Sequence, residues 1–326
     1  MSRDRLGKET SHPAARYRLT MRASEIIARH PALALIGNTP LVRVDLFDDD
    51  LRGVTIHAKA EFANPGGSIK DRPVLRMLAE AVAAGELTRE KTILDSSSGN
   101  AGIAYAMIGA VLGYRVELVL PGNASEERKR RIKAHGGCLV FTDPLEGYDA
   151  ALREAHRRHA EAPHRYFFCD QYSNDHNWRA HYDTTAVEIL DQTRGRITHF
   201  VCGVGTGGTI TGVGRRLKEH DSKIEVICIQ PDAFPGIEGL KPLGSQEDIV
   251  PAIFDPSVVD RQLPVRPEDA YAVSNRLAKR GLFVGQSSGA YVYGAAQVAR
   301  EAGAGAAVVT ILNDTGERYF STRLWE

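Results

Sequence analysis

The 326-residue sequence predicts an α/β protein built as two three-layer αβα units with mainly parallel sheets. Three observations lead to that class. Short apolar, strand-like runs alternate with helical stretches over almost the whole length, a pattern that implies parallel strands with helices on both faces. Glycine- and serine-rich turns fall at strand-to-helix junctions, where such sheets keep their functional loops. The length suits two units, the break falling near residues 171–180. The expected division is a flexible extension over 1–22, a first unit over 23–175 and a second over 176–326, with the earliest strands free to cross into the second.

In chain order, 23–30 reads as a short helix, and Gly37-Asn38-Thr39-Pro40 as a turn before a strand at 41–44. A strand at 54–60 precedes a turn, Asn64-Pro65-Gly66-Gly67, and a helix over 69–84 that Gly85 closes. Ser68 and Asp71 have capping-box spacing for its start. Strands at 92–94, 115–120, 138–142 and 166–169 alternate with helices at 103–112, 126–135 (Ser125 as its cap) and 148–160. The second half repeats the theme: a helix at 178–190, a strand at 199–202, a glycine loop and helix to 219, and a strand at 224–230. Residues 231–257, with Pro231, Pro235, Pro242 and Pro251 among them, read as irregular. Helices at 268–279 and 291–301 and a strand at 307–312 complete the chain.

Composition removes several function classes. Forty-one Lys and Arg balance forty-one Asp and Glu with no long run of one sign, which argues against a nucleic-acid partner. No apolar run reaches membrane-spanning length, and no hydrophobic signal core opens the chain. Cys138, Cys169, Cys202 and Cys228 are well separated, three of them in apolar strand-like runs, so free thiols and a cytoplasmic setting are expected. His156, His159 and His164 lie on or just past a charged helix without a carboxylate or thiolate set beside them, and a solvated face is favoured over a metal.

Four stretches carry candidate chemistry. Lys70 falls in the first turn of its helix, at the positive end, where an ammonium is disfavoured; that makes it a candidate for a depressed pKa and Schiff-base chemistry, against the plainer reading of a surface lysine. Ser96-Ser97-Ser98-Gly99-Asn100-Ala101-Gly102 follows a strand and opens a helix, an arrangement suited to a carboxylate or phosphate or simply to a helix cap. In the loop after Cys202, Gly205, Gly207 and Gly208 let backbone approach an anion, and Thr206 and Thr209 add hydroxyls. Gly203, Gly205 and Gly208 also have the spacing of a dinucleotide fingerprint, but the following strand ends at Gln230 where an acid belongs, so a nicotinamide site fits poorly. Gly285-Gln286-Ser287-Ser288-Gly289-Ala290 is a further anion cradle or a cap.

Together these stretches resemble the cysteine synthase and cystathionine β-synthase group, the fold type II (tryptophan synthase β-like) enzymes that use pyridoxal 5′-phosphate. The resemblance runs from about Leu35 to the end. It is carried by Gly37–Leu41, Ser68-Ile69-Lys70-Asp71-Arg72, Ser98-Gly99-Asn100, Gly205–Thr209, Ser287-Ser288-Gly289 and Gly316-Glu317-Arg318-Tyr319, in the same order and spacing. It implies that Lys70 forms the Schiff base and is the catalytic base. It further implies that Asn100 bonds the cofactor's ring oxygen, that Gly205, Thr206, Gly207, Gly208 and Thr209 hold its phosphate, and that Ser287 faces its pyridine nitrogen. Ser97, Ser98 and Gln171 would hold the substrate carboxylate. The implied reaction is β-replacement through an α-aminoacrylate, giving L-cysteine from an activated serine, in a homodimer.

Two departures bear on the substrate. The family's loop usually reads Thr-Ser-Gly-Asn-Thr-Gly, and Ala101 here lacks a hydroxyl whose bond to a charged group is worth about 1.5–3 kcal/mol. The segment Gly236-Ile237-Glu238-Gly239-Leu240-Lys241 is similar to phosphoserine-using cysteine synthases, which place an arginine about where Lys241 falls. That resemblance implies a phosphate contact at Lys241, with a solvated loop lysine as the alternative. It also implies a small thiocarboxylate carrier protein as a partner besides sulfide. Cystathionine β-synthase and diaminopropionate-type chemistries are the alternatives within the group; a nicotinamide oxidoreductase and a non-catalytic ligand-binding relative are the alternatives outside it.

Overall fold

A computed structural model describes residues 19–326 apart from 52, 98, 234, 235 and 244–249. The first half runs α1 (Met21–Ala28), β1 (Leu41–Arg43), β2 (Thr55–Ala60), α2 (Asp71–Ala84), β3 (Thr92–Ser96), α3 (Asn100–Leu112), β4 (Arg115–Pro121), α4 (Glu126–Ala134), β5 (Cys138–Thr142), α5 (Gly147–Glu161) and β6 (Tyr166–Phe168). The second half runs α6 (His176–Ala180), a π-helical turn (His181–Thr185), α7 (Ala186–Thr193), β7 (His199–Gly203), α8 (Gly208–His220), β8 (Glu225–Pro231), β9 (Arg261–Val265), α9 (Pro267–Ala278), α10 (Gln286–Ala302) and β10 (Ala307–Leu312).

Two sheets result. Strands β5-β4-β3-β6 form a four-stranded parallel sheet, and β1-β2-β10-β7-β8-β9 a six-stranded sheet in which β1 pairs with β2 antiparallel and the other neighbours pair parallel. The strands β1 and β2 thus cross into the sheet built otherwise from the second half. Central strands such as β3 and β10 are buried on both faces, as parallel strands between helix layers must be. Separate apolar cores sit on the two sheets. Among the described residues no helix is long and apolar enough to cross a membrane.

Several expectations are corrected. Of the extension expected over 1–22, residues 1–18 lie outside the described residues, and its last residues are structured: the Thr20 side chain caps α1, and its hydroxyl donates to Glu80 Oε2 at 2.8 Å, so the helix begins at Met21. Ser68 and Asp71 do not form a capping box. Asp71 reaches past Ser68 to accept from the Gly66 amide at 2.5 Å, because the turn folds back over the helix start. Ser125 stands at the head of α4, but its side chain makes no capping bond. The helix expected at 178–190 is interrupted by the π-helical turn. Helix α10 begins at Gln286 rather than 291, which puts Ser287 in its first turn. Strand β9 lies just beyond the stretch read as irregular, where no strand was expected. All four cysteines are free, and Cys138 is exposed.

Candidate active site

The Asn64–Gly67 turn is pinned from several sides. Gly67, at φ +73°, donates to Asn64 O at 2.7 Å; Arg131 donates to Pro65 O at 2.9 Å, and Arg318 to Gly66 O. Ser68 bridges to Asp314, and the Ile69 amide donates to Asn313 O at 2.9 Å, so the turn is fastened to the end of β10. Lys70 is thereby delivered as the residue that heads α2, its side chain facing a cavity of about 390 Å³. Burial lowers its pKa, with the Asp314 carboxylate pulling the other way, so the neutral amine is brought within easier reach.

Three helix starts surround the same cavity. At α3, Ser97 Oγ accepts from Gly102 N at 2.9 Å and Gly99 N at 3.3 Å, which leaves its own O–H to donate. Asn100 has both ends of its amide held: Arg318 donates to its Oδ1, and its Nδ2 donates to Asp314 Oδ2 at 2.7 Å. At α8, Gly207 (φ +83°) turns the loop into the helix, with Thr206 and Thr209 on the cavity wall. At α10, Ser287 Oγ accepts from Asn313 Nδ2 at 3.1 Å and its hydroxyl proton is free to point elsewhere. Helix N-termini carry positive partial charge and unpaired N–H groups, so the cavity favours anions.

Of the residues singled out from sequence, Lys70, Ser97, Asn100, Ala101, Gln171, Gly205, Thr206, Gly207, Thr209, Lys241 and Ser287 line this one cavity. Gly208 sits behind the wall, packed so closely on Asn177 that a Cβ there would lie 2.0 Å from Asn177 Oδ1. Ser98 lies outside the described residues. Gln171 is buried and donates to Ser96 O at 3.4 Å. The Lys241 ammonium stands 5.0 Å over the Tyr172 ring. His156 and His159 pack their rings on Phe168 and do not line the cavity.

Sequence reasoning missed Asn177, Arg128, Tyr291, Asn313 and Asp314. Asn177 joins two parts of the site, donating to Gln171 O at 2.7 Å and Thr206 Oγ1 at 3.1 Å. Arg128 belongs to the basic helix α4, yet it is buried. Arg318 and Tyr319 carried a signal only as part of the Gly316–Tyr319 marker.

The donor set fits one class of group. An amine of lowered pKa faces glycine-rich backbone and threonine hydroxyls at a helix start, with an amide and a lone hydroxyl between them. That combination accepts a phosphorylated aldehyde with a ring nitrogen, and fold and cavity together define an enzyme of the fold type II pyridoxal-phosphate kind. The family model for pyridoxal-phosphate dependent enzymes matches residues 32–314. The chain is 50% identical over 306 residues to a cysteine synthase of Aquifex aeolicus, covering 91% of this chain and 93% of that one. A crystal structure of cysteine synthase from Entamoeba histolytica superposes with a TM-score of 0.85 at 34% identity, covering 91% and 90%. One of O-ureido-L-serine synthase gives 0.82 at 37% identity, covering 90% and 94%. The chain belongs to the pyridoxal-phosphate dependent enzymes, in their cysteine synthase and cystathionine β-synthase group, and its cofactor is pyridoxal 5′-phosphate. The nicotinamide reading of the 203–208 loop falls with that assignment.

Proposed function

We propose that the protein makes L-cysteine by β-replacement on an L-serine activated at its hydroxyl, O-phospho-L-serine favoured over O-acetyl-L-serine, with sulfide or a protein thiocarboxylate as sulfur donor. The observation that carries the reading is the convergence of the Lys70 amine with the starts of α3, α8 and α10 on one cavity. Similarity to the Aquifex cysteine synthase supports it. Bound there, pyridoxal phosphate would supply an electron sink for bonds broken at the amino acid's α- and β-carbons.

The chain's own residues would divide the work as follows. Thr206, Thr209 and the backbone of 205–208 hold the cofactor's phosphate. Asn100, locked by Arg318 and Asp314, presents its amide to the ring. Ser287 accepts from Asn313, so it has a proton to donate, which suits an unprotonated pyridine nitrogen and a moderate electron sink. Ser97 and the α3 start hold the substrate carboxylate, with Gln171 alongside. Lys70, its neutral form favoured by burial, takes the α-proton and returns it. Lys241 makes no ion pair among the described residues and lines the cavity, which supports a role in meeting the substrate phosphate.

Visible absorbance of the holoprotein, titrated in parallel with O-phospho-L-serine, O-acetyl-L-serine and L-serine, tests the reading. Phosphoserine is expected to change the cofactor band at the lowest concentration, and Lys241→Ala to remove that advantage. Lys70→Ala is expected to lose the band of the lysine-bound cofactor and to lower cysteine formation by more than about a thousandfold. A Lys70→Ala protein that keeps the wild-type band and rate counts against the assignment. Similarity to O-ureido-L-serine synthase favours a second reading in which another nucleophile replaces sulfide, and adding candidate nucleophiles to the same titration separates the two.

A further inference from the structure

Arg128 is a buried cation that the roles above leave unused. It rises from the first turn of α4 with its side chain 4% exposed and its guanidinium 5.1 Å above the Tyr319 ring. Its Nη1 meets the Glu238 carboxylate, and its buried Nε has no hydrogen-bond partner among the described residues. Glu238 is held far less tightly. Its side chain is 40% exposed, on a turn flanked by Gly236 (φ +73°) and Gly239 (φ +87°). Lys241 follows three residues later on the same cavity wall. The other acid lining the cavity, Asp149, is exposed and makes no ion pair among the described residues.

We propose that Arg128 and Lys241 together form the subsite for the phosphate of O-phospho-L-serine, and that Glu238 occupies the Arg128 half of it until the substrate displaces it. The inference rests on the phosphoserine reading and deepens it. A phosphate monoester carries about −1.5 to −2 charges near neutral pH, which two cations match. Arg128 supplies a planar fork with a spare N–H, and Lys241 a mobile point charge. The partner that leaves must be Glu238, because it has water to move into and Arg128 does not. An uncharged acetyl ester offers Arg128 too little to displace a carboxylate, whereas a dianion competes with it. Glu238 therefore selects against weak acceptors while keeping the buried guanidinium paired.

The test compares kcat/KM for O-phospho-L-serine and O-acetyl-L-serine on holoenzyme of the wild type, Glu238→Gln, Arg128→Gln, Arg128→Lys, the double variant Arg128→Gln/Glu238→Gln and Lys241→Ala. Calorimetric titration with inorganic phosphate gives a readout independent of turnover. Glu238→Gln is expected to raise the phosphoserine-to-acetylserine ratio about tenfold and to tighten phosphate binding. Arg128→Gln should lower the ratio about tenfold, and in the double variant the gain from Glu238→Gln should vanish. Should Arg128→Gln fail to fold, Arg128→Lys carries the same test, with a loss of several-fold because the charge stays and the fork goes. A ratio and phosphate affinity unmoved by Glu238→Gln, or a gain that persists without Arg128, overturns the inference. If the wild type neither prefers phosphoserine nor binds phosphate, the substrate reading itself falls. If it prefers phosphoserine and loses the preference only in Lys241→Ala, the substrate reading stands and the Arg128–Glu238 exchange alone is wrong.

Discussion

Asp95 is the penultimate residue of β3, two before Ser97, with its carboxylate buried beneath the loop that would bind the substrate. Burial pushes its pKa up to about 7, against the Tyr105 hydroxyl and the Ser96 amide, while Asp170 adds to the rise. The Ser96 amide donates to Oδ1 at 2.7 Å. The ordinary value of 3.8 applies to the unfolded chain, so between that and about 7 the folded chain binds a proton the unfolded chain has released. Stability is therefore lost as pH rises through this window and is flat above it. Asparagine at 95 keeps the acceptor and removes the titration. Asp95→Asn is expected to gain on the wild type by roughly 2–3 kcal/mol between about pH 5 and about pH 8, at about 1.4 kcal/mol per pH unit. Urea denaturation at the two pH values measures it, and an equal difference at both would remove Asp95 as the titrating group.

The start of α8 shows how one element constrains another. Asn177 of α6 fills the space a side chain at Gly208 would need, and it ties Gln171 O to Thr206 Oγ1. Gly208→Ala improves intrinsic helix propensity by about 1 kcal/mol, yet its Cβ must displace Asn177 and with it the Thr206 hydroxyl. The variant is expected to bind pyridoxal phosphate about tenfold more weakly while the far end of the helix is untouched, measured by absorbance titration of apoprotein; unchanged affinity would mean that Asn177 has no part in holding the loop. Such glycines are legible in sequence because they cluster after an apolar strand, and the strand–loop–helix rhythm exposed nearly every central element for the same reason. Strand β9 was not legible: Arg261, Gln262 and Pro264 leave no apolar alternation, and its edge position supplies the tolerance for proline. The first turn of α10 hid behind Ser287, Ser288 and Gly289, which read equally as a loop. Asn177, Arg128 and Asp314 were hidden for another cause. Each acts on residues distant in the chain, and no local pattern records that pairing.

At the scale of the molecule, the Lys70 turn must be held between two sheets, and a buried charge cluster does much of the holding. Arg72, two residues after Lys70, donates from Nε to Glu61 Oε2 at 2.7 Å and from Nη1 and Nη2 to the two Glu188 oxygens at 2.7 and 2.8 Å. Lys59 of β2 meets Glu188 Oε2 at 2.6 Å, and the Asn38 amide donates to Glu188 Oε1 at 2.9 Å. Two cations and two carboxylates, from β2, the turn after it, α2 and α7, thus balance with almost no water present. Burial raises the pKa of Glu188, but the bonds and charge of Arg72 and the charge of Lys59 outweigh it and bring the value down to about 2. Glu188→Gln removes the shared anion and leaves one buried positive charge in excess, a loss expected to be about 3–5 kcal/mol near neutral pH. Burial already lowers the Lys59 pKa against the pull of Glu188, and without that carboxylate it falls further. A lysine whose folded pKa is depressed makes stability fall as pH drops and recover as pH rises toward its unfolded value of 10.5. The deficit of Glu188→Gln should accordingly shrink between about pH 7 and about pH 9.5, as Lys59 gives up its proton on folding. Denaturant titrations of variant and wild type at both pH values decide the point. A deficit that stays constant would show that Lys59 keeps its charge and that the cluster rests on Arg72 and Glu61 instead.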